Sequence, residues 1–409
     1  MKVYLDYSAT TPTDDKVIKA MLPYWSKAFG NPASLHSFGQ TAQRAVIESR
    51  QVVADFFAAE AKEIIFTSGA TEADNLAVNG VIRAILKQSP QLKPHVIVSS
   101  VEHEAVRQPC LQLAREGVEV DWLPVDKNGL VDPQDIQKLI KENTVLVTVA
   151  YVNSEIGIRQ PIREIGQLIK KINRARQEEW RKHGGQQNAK PQRIYFHTDA
   201  TQAVNYFDCR VNYLNCDLLS FSGHKIYGPK GIGGLYVKAG TPLLAVQLGG
   251  HQELNRRSGT LNVPGIIGLA KALELVQRHQ IADCRRIALL RNRLVKGLKK
   301  DIPDLILNTK IDQATPSHAH FSVILAEGEA LLLALDLAGI AVSTGSACAS
   351  GSLDASNTLL AMGISQEVAH YSVRFTLGRQ TTVAEIDQVI KKMPKIVARL
   401  RSWVPELKN

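Results

Sequence analysis

The stretch "DLLSFSGHKIYGPKGIGGLYV", residues 217–237, sets two apolar runs, DLLSF and GGLYV, around a polar centre rich in glycine. Each run reads as a buried strand. Between them Lys225 falls where its ammonium is partly dehydrated, a costly place for a charge unless the amine has a task. A hairpin lysine solvated by its neighbours is the plainer alternative, and this motif alone does not decide between them.

Working outward, similar runs recur upstream as EIIF, HVIVSS, TVLVTVAYV and RIYFHT. Several are apolar throughout instead of alternating, which suits strands covered on both faces. Amphipathic stretches such as TEADNLAVNGVIRAILK and IREIGQLIKKINRARQ lie between them. This alternation, from about residue 60 to 240, predicts an α/β fold: a mostly parallel sheet with helices on both sides. QEEWRKHGGQQNAKPQ, residues 177–192, reads as a surface loop. After GTLNVPG the pattern changes to long helices and then a shorter strand–helix set. The expected division is a large domain over residues 16–265 and a small α+β domain from residues 1–15 and 266–409.

The bulk numbers narrow the class. The chain has 409 residues, 44% hydrophobic and 22% charged, enough for two domains with a large core. Its start, MKVYLDYSATTPT, is broken by Asp6 and resembles neither a signal nor a transit peptide. No stretch approaches the apolar length that spans a bilayer, so a cytoplasmic protein without membrane contact is expected. The five cysteines, Cys110, Cys209, Cys216, Cys284 and Cys348, are odd in number and contain no CxxC pair. That argues against a disulfide framework and against a metal site of the usual zinc spacing. The net charge of +10 is spread along helices such as CRRIALLRNRLVKGLKK, with no basic run interleaved with aromatics. A solvated basic surface is the first reading, an acidic protein partner the second and direct nucleic-acid binding the third.

In open α/β sheets ligands bind beyond the carboxyl ends of the strands. After EIIF come Gly69, Ala70 and Thr71 at a helix start, where small residues and the helix dipole favour an anion. After HVIVSS comes His103, after TVLVTVAYV Asn153, and after RIYFHT Asp199 and Gln202. After DLLSF come Ser222, His224 and Lys225. Singly, each has a structural alternative: a helix cap, a satisfied histidine, a turn asparagine. Together, at corresponding places on one sheet, they are hard to assign to coincidence. An anion cradle, a carboxylate, a flat imidazole and a lysine are what pyridoxal 5'-phosphate needs. Neither GxxxxGK[ST] nor a GxGxxG following a strand is present.

With these residues in view the sequence resembles the cysteine desulfurases (NifS/IscS-like), in the class V aminotransferase group of fold type I pyridoxal-phosphate enzymes. The matching segments are YLDYSATTP, GNPASLH, FTSGATEADNLA, VEHEAV, VNSEIGIRQPI, HTDATQAV, SFSGHKIYGPKGIGGLYV, GGHQELNRRSGTLNVP, STGSACASGS and SVRFTLG, spread over essentially the whole chain. The resemblance implies a seven-stranded sheet in the large domain, a homodimer, and roles residue by residue. Lys225 would bind the cofactor covalently. Asp199 would pair with the pyridine nitrogen, Gln202 would bond the ring hydroxyl oxygen, and His103 would stack on the ring and shuttle protons. Ala70, Thr71, Ser222 and His224 would hold the phosphate, with Thr260 reaching in from a second subunit. Asn153, also counted with the cofactor site, and Arg374 would hold the substrate carboxylate. The implied reaction converts L-cysteine to L-alanine, with sulfur passing to Cys348 as a persulfide and on to an acceptor such as an iron–sulfur scaffold.

Cys348 lies in STGSACASGSLDASN, a run too poor in apolar residues to pack, so a loop over about residues 343–357 is expected to move. A buried small-residue turn with an inert thiol is the alternative. Two rival functions stand beside the desulfurase: a selenocysteine or cystine lyase on the same frame, and a non-catalytic sulfur carrier that keeps the fold.

Overall fold

A computed structural model describes residues 2–183, 191–344 and 355–403. Seven strands form its central sheet: β1 Ile64–Thr67, β2 His95–Ser99, β3 Glu119–Leu123, β4 Thr144–Thr148, β5 Tyr195–Asp199, β6 Leu218–Ser222 and β7 Gly233–Val237. Their spatial order is β1-β7-β6-β5-β4-β2-β3. All neighbours run parallel except β7, which is antiparallel to both β1 and β6.

The apolarity of most of these strands has a direct cause. Successive side chains of a strand point to opposite faces, and here both faces are dry. Ile64 and Phe66 of β1, Ile97 of β2, Leu219 and Phe221 of β6 and Tyr236 of β7 pack in one core. Their neighbours Ile65, Val96, Val98, Leu218, Leu235 and Val237 pack in another on the opposite face, against helices Ala70–Gln88 and Glu104–Arg115. Gly233 shows how tightly the middle is built: a Cβ there would meet Phe221 O at 2.5 Å and Gly69 Cα at 2.8 Å. Only glycine lets β7 pass this close to the turn after β1.

The one strand among the seven with no matching run in the sequence reading is β3. Glu119, Val120, Asp121 and Trp122 are exposed or half-exposed at the sheet edge, and Lys141 bridges Glu119 and Asp121 at 2.6 and 2.7 Å. Charged, half-wet edges hide a strand from an apolar search and discourage pairing with other chains. A second correction concerns residues 177–192. Helix Ile162–Lys182 runs through Gln177, Glu178, Glu179, Trp180, Arg181 and Lys182, so the first part of the expected loop is helical. Glu, Gln, Arg and Lys are good helix formers and extend an amphipathic helix already under way. Residues 184–190 lie outside the described residues.

A second sheet has His318–Val323 at its centre, antiparallel to Leu305–Leu307 and to Ser372–Thr376. Near the N-terminus, Val3–Tyr4 pairs in parallel with Ile340–Ala341. The chain then crosses to the large sheet, where Thr11 N–H donates to His224 O and Asp14 N–H to Tyr227 O, both at 2.9 Å. Helix Val263–Asp301 is continuous over 39 residues. Its first half gives Ile266, Leu269 and Leu273 to one core, its second half Ile287, Leu290 and Leu294 to another built on the second sheet.

Candidate active site

A cleft of about 960 Å³ opens at the carboxyl ends of β1, β2, β4, β5 and β6, and the N-terminal segment and Arg374 close its other side. Ala70, Thr71, His103, Asn153, Asp199, Gln202, Ser222, His224, Lys225 and Arg374 all line it.

The anion cradle forms where β1 turns into helix Ala70–Gln88. Gly69 is the N-cap and contributes no side-chain cap, so the first helical N–H groups are not satisfied by the cap residue. A side chain at Gly69 would point to within 3.8 Å of the Ser222 hydroxyl, so the cradle lies between β1 and β6. His224 completes that side, with Nδ1 3.2 Å from Thr10 Oγ1. Burial, then the charges of Lys225 and Lys230, pull its pKa down to about 4, so the ring meets an anion as a neutral hydrogen-bonding group near pH 7.

Lys225 ends the short 3₁₀ turn Gly223–Lys225 after β6. Its Nζ donates to Ala9 O at 2.8 Å and also to Ser8 O. Gln202 Nε2 donates to the same Ser8 carbonyl at 3.0 Å. The backbone two residues beyond the lysine adopts a left-handed conformation at Tyr227, φ 63°. That costs a non-glycine residue about 1–2 kcal/mol, and the Asp14 amide and the contact of Tyr227 Oη with Arg379 N–H at 2.6 Å help to hold it.

Asp199 ends β5 at 8% exposure, one oxygen accepting Thr201 N–H at 2.8 Å. Among the described residues it forms no ion pair. Behind it Asp74 is fully buried, 3.6 Å from His197. Burial and the charge of Asp199 hold Asp74 well above the usual carboxylate range. Burial likewise pulls His197 down to about 3, so that pair is neutral.

His103 is the N-cap of helix Glu104–Arg115, and its Nδ1 accepts Ala105 N–H at 3.1 Å. That bond places the proton of the neutral ring on Nε2. Asn153 is anchored on every side: Nδ2 donates to Val101 O and Thr358 Oγ1, and Oδ1 accepts from Glu155 and Ile156 N–H. A substrate carboxylate at Asn153 would have to exchange one of these bonds. Arg374 is 5% exposed, with Nη1 on Ser154 O and Nη2 on Asp6 Oδ1, both 2.9 Å, while Nε is buried with no acceptor. Thr260 is exposed and does not line this cleft.

Cys348 lies outside the described residues, but the chain on either side of its segment is fixed at the cleft. Ser343 exchanges backbone hydrogen bonds with Arg374. Ser356 and Thr358 donate to Glu155 at 2.5 and 2.9 Å. The other four thiols are poor nucleophiles. Burial pushes Cys110 up to about 12 and Cys284 to about 11, and raises Cys209 and Cys216 as well.

The residues fit pyridoxal phosphate. A carboxylate with no ion pair among the described residues lines the cleft for a cationic ring nitrogen, an uncapped helix start lines it for a phosphate, and an amine lines it too. The sequence reading missed the supporting groups: the carbonyls of Ser8 and Ala9, and Asp6, Glu102 and Glu155. All are polar groups whose partners lie 100 residues or more away or on the backbone, so no local spacing announces them.

The chain matches the family described as Aminotransferase class-V over residues 3–176 and 185–389. It is 41% identical over 404 residues to a protein of Dictyoglomus turgidum named cysteine desulfurase IscS, covering 99% of this chain and 96% of that one. A protein of the same name from Clostridium botulinum is 43% identical over 406 residues, covering 99% and 96%. A cysteine desulfurase of Mus musculus is 41% identical over 406 residues, covering 98% and 83%. Among solved structures, a NifS-like protein superimposes with a TM-score of 0.87 at 32% identity, covering 98% of this chain and all of that one. A structure titled SspA in complex with cysteine gives a TM-score of 0.76 at 32% identity, covering 93% and all of that chain.

Proposed function

The chain belongs to the class-V aminotransferase family, as one of its pyridoxal-phosphate-dependent cysteine desulfurases, and from that premise we propose how its own residues share the work. The first helical amides of Ala70 and Thr71, with Ser222 and His224, would hold the phosphate; Asp199 would hold the ring nitrogen, Gln202 the ring hydroxyl oxygen, and His103 would stack on the ring. Lys225 would form the covalent link. Bound there, the cofactor supplies an electron sink for negative charge developing at the substrate Cα.

Arg374 orients L-cysteine through its carboxylate, a task suited to a planar guanidinium. The Lys225 amine takes the Cα proton of the bound substrate. The Cys348 thiolate attacks the substrate sulfur. The new S–S bond forms as the C–S bond breaks and its electron pair stays with the carbon fragment, which gains one proton at the carbon that lost sulfur, regains the Cα proton from Lys225 and leaves as L-alanine. Cys348 is left as a persulfide, and its outer sulfur passes to an acceptor, an iron–sulfur scaffold first among them.

The observation that carries this reading is the fixing of both flanks of the Cys348 segment at the cleft holding Lys225 and Asp199, while every described cysteine is a buried or half-buried thiol of raised pKa. The test is incubation of the purified protein with L-cysteine, measuring alanine and sulfide with and without reductant. Alanine without stoichiometric cysteine consumption, or activity on selenocysteine or cystine alone, sinks it.

We propose a homodimer for the same reason that Thr260 stands away from its own cleft. Trp25, Phe29, Leu35 and Phe38 are 54–90% exposed, and the rings of Phe29 and Phe38 lie 5.6 Å apart, an apolar surface that water does not favour. The two-domain division at about residue 265 is also proposed, supported by the separate core on the second sheet that Val3 and Leu5 join. No helix among the described residues is long and apolar enough to cross a membrane. A cytoplasmic setting, where thiols stay reduced, agrees with the four cysteines among the described residues being free.

A further inference from the structure

Glu102 stands one residue before His103 at the end of the turn after β2, and the chemistry above does not use it. It lines the cleft yet is only 7% exposed. Its Oε1 accepts Ala150 N–H at 2.6 Å, and Asn153 Nδ2 donates to the adjacent Val101 O at 3.0 Å. Two bonds therefore tie residues 101–103 to the turn beyond β4. The second carboxyl oxygen, Oε2, is buried with no hydrogen-bond partner.

The groups around this carboxyl are acidic or neutral. Asp199 faces it from the end of β5, Asp74 from helix Ala70–Gln88 with neutral His197 beside it, and the Cys110 thiol from helix Glu104–Arg115. Arg107, the cleft-lining cation of that last helix, is paired with Glu104 at 3.5 Å. Among the described residues no basic side chain forms an ion pair with Glu102. A dry carboxylate without a counter-charge, beside a second carboxylate, keeps its proton. Burial, and then the charge of Asp199, push Glu102 up to about 8.

We propose that Glu102 is a positioning residue acting as a neutral acid: one oxygen anchors the turn that carries His103, and the proton on the other keeps a second buried negative charge away from Asp199. The inference rests on reading the cleft as a cysteine desulfurase site. It adds a residue whose protonated form, not its charge, does the work.

The test compares wild type, Glu102→Gln and Glu102→Ala as holoenzymes, by kcat and KM for L-cysteine and by thermal midpoint against pH. Gln keeps the acceptor for Ala150 and puts an N–H where the O–H stood, so kcat stays within about threefold of wild type. Ala removes both, and kcat falls about tenfold to a hundredfold with KM nearly unchanged, as His103 loses its placement. The folded wild type keeps a proton that the unfolded chain releases above its ordinary carboxylate pKa. Stability from this group is thus full below about 4.5 and is lost as pH rises towards about 8. Glu102→Gln does not titrate, so its thermal midpoint rises relative to wild type across that interval and the gain levels off above it. Three results overturn the proposal: a Gln variant as inactive as Ala, an Ala variant as active as wild type, or a midpoint difference that is flat with pH. Absence of alanine formation by wild type would instead sink the desulfurase reading, and the midpoint series would still decide whether Glu102 holds a proton.

Discussion

The ammonium of Lys225 donates to the carbonyl oxygen of Ala9 at 2.8 Å, a contact between residues 216 positions apart. With the Ser8 carbonyl it replaces water around a charge that the sheet would otherwise strand. Lys225→Ala would remove both the covalent link and the base proposed above. The expected result is loss of the visible absorbance of the lysine-bound cofactor and of all measurable alanine formation. Turnover of L-cysteine at a comparable rate would show that another group is the base.

Cys348→Ala separates holding the cofactor from moving sulfur. The variant is expected to fold, retain the cofactor's absorbance and still exchange the substrate Cα proton for deuterium, because the proposed mechanism gives those functions to Lys225 and Asp199. Alanine release should fall to background. At neutral pH the four described thiols remain protonated, since burial raises all of them. An alkylating reagent should therefore label Cys348 first, and mass spectrometry after L-cysteine should find the added sulfur on its peptide. Sulfur found on Cys110, Cys209, Cys216 or Cys284 would redirect the mechanism.

Arg374→Lys keeps the charge and loses the fork. The guanidinium already holds Ser154 O and Asp6 Oδ1, and its buried Nε has no acceptor. A lysine cannot keep both contacts and also meet a carboxylate side-on. KM for L-cysteine should rise about tenfold or more, with a smaller change in kcat, given about 1.5–3 kcal/mol for a charged hydrogen bond. An unchanged KM would remove Arg374 from substrate binding.

Phe38→Asp puts a charge into the exposed Phe29–Phe38 pair. Sedimentation should show wild type as a dimer and the variant as a monomer. Thr260→Ala should stay dimeric but release the cofactor more readily on dialysis, because its hydroxyl would serve the other subunit's phosphate. A wild-type monomer that retains the cofactor fully would end the shared-site proposal.

The strands that bear the cleft were legible because two dry faces make most positions apolar at six of the seven, and because polar residues follow β1, β2, β4, β5 and β6 at the same edge. The rim was less legible. Glu119 and Asp121 are solvated by Lys141 at a wet edge, so β3 carries no apolar signature. Glu179 and Trp180 looked like loop beside Gly184 and Gly185, yet helix propensity carries the chain through Lys182. The Asp6–Arg374 pair spans 368 residues, and Ser356–Glu155 spans 201. Contacts of that kind depend on how two sheets meet and have no local period. Asn153 shows the same limit from the other side: it lines the cleft as expected, but its type gives no hint of the four bonds that tie it between two turns.

Helix Val263–Asp301, about 58 Å long at 1.5 Å per residue, also bears on how the protein melts. Leu269 and Leu273 belong to one core, Leu290 and Leu294 to the other. If either core loosened alone, half of the helix would be left in water, where a segment of that length is marginal. The two units should therefore denature in one cooperative step. Ala282→Pro, at an exposed position between the packed halves, breaks the shared helix. Calorimetry of that variant should resolve two transitions where wild type shows one, so that the long helix is the element making one folding unit out of two hydrophobic cores.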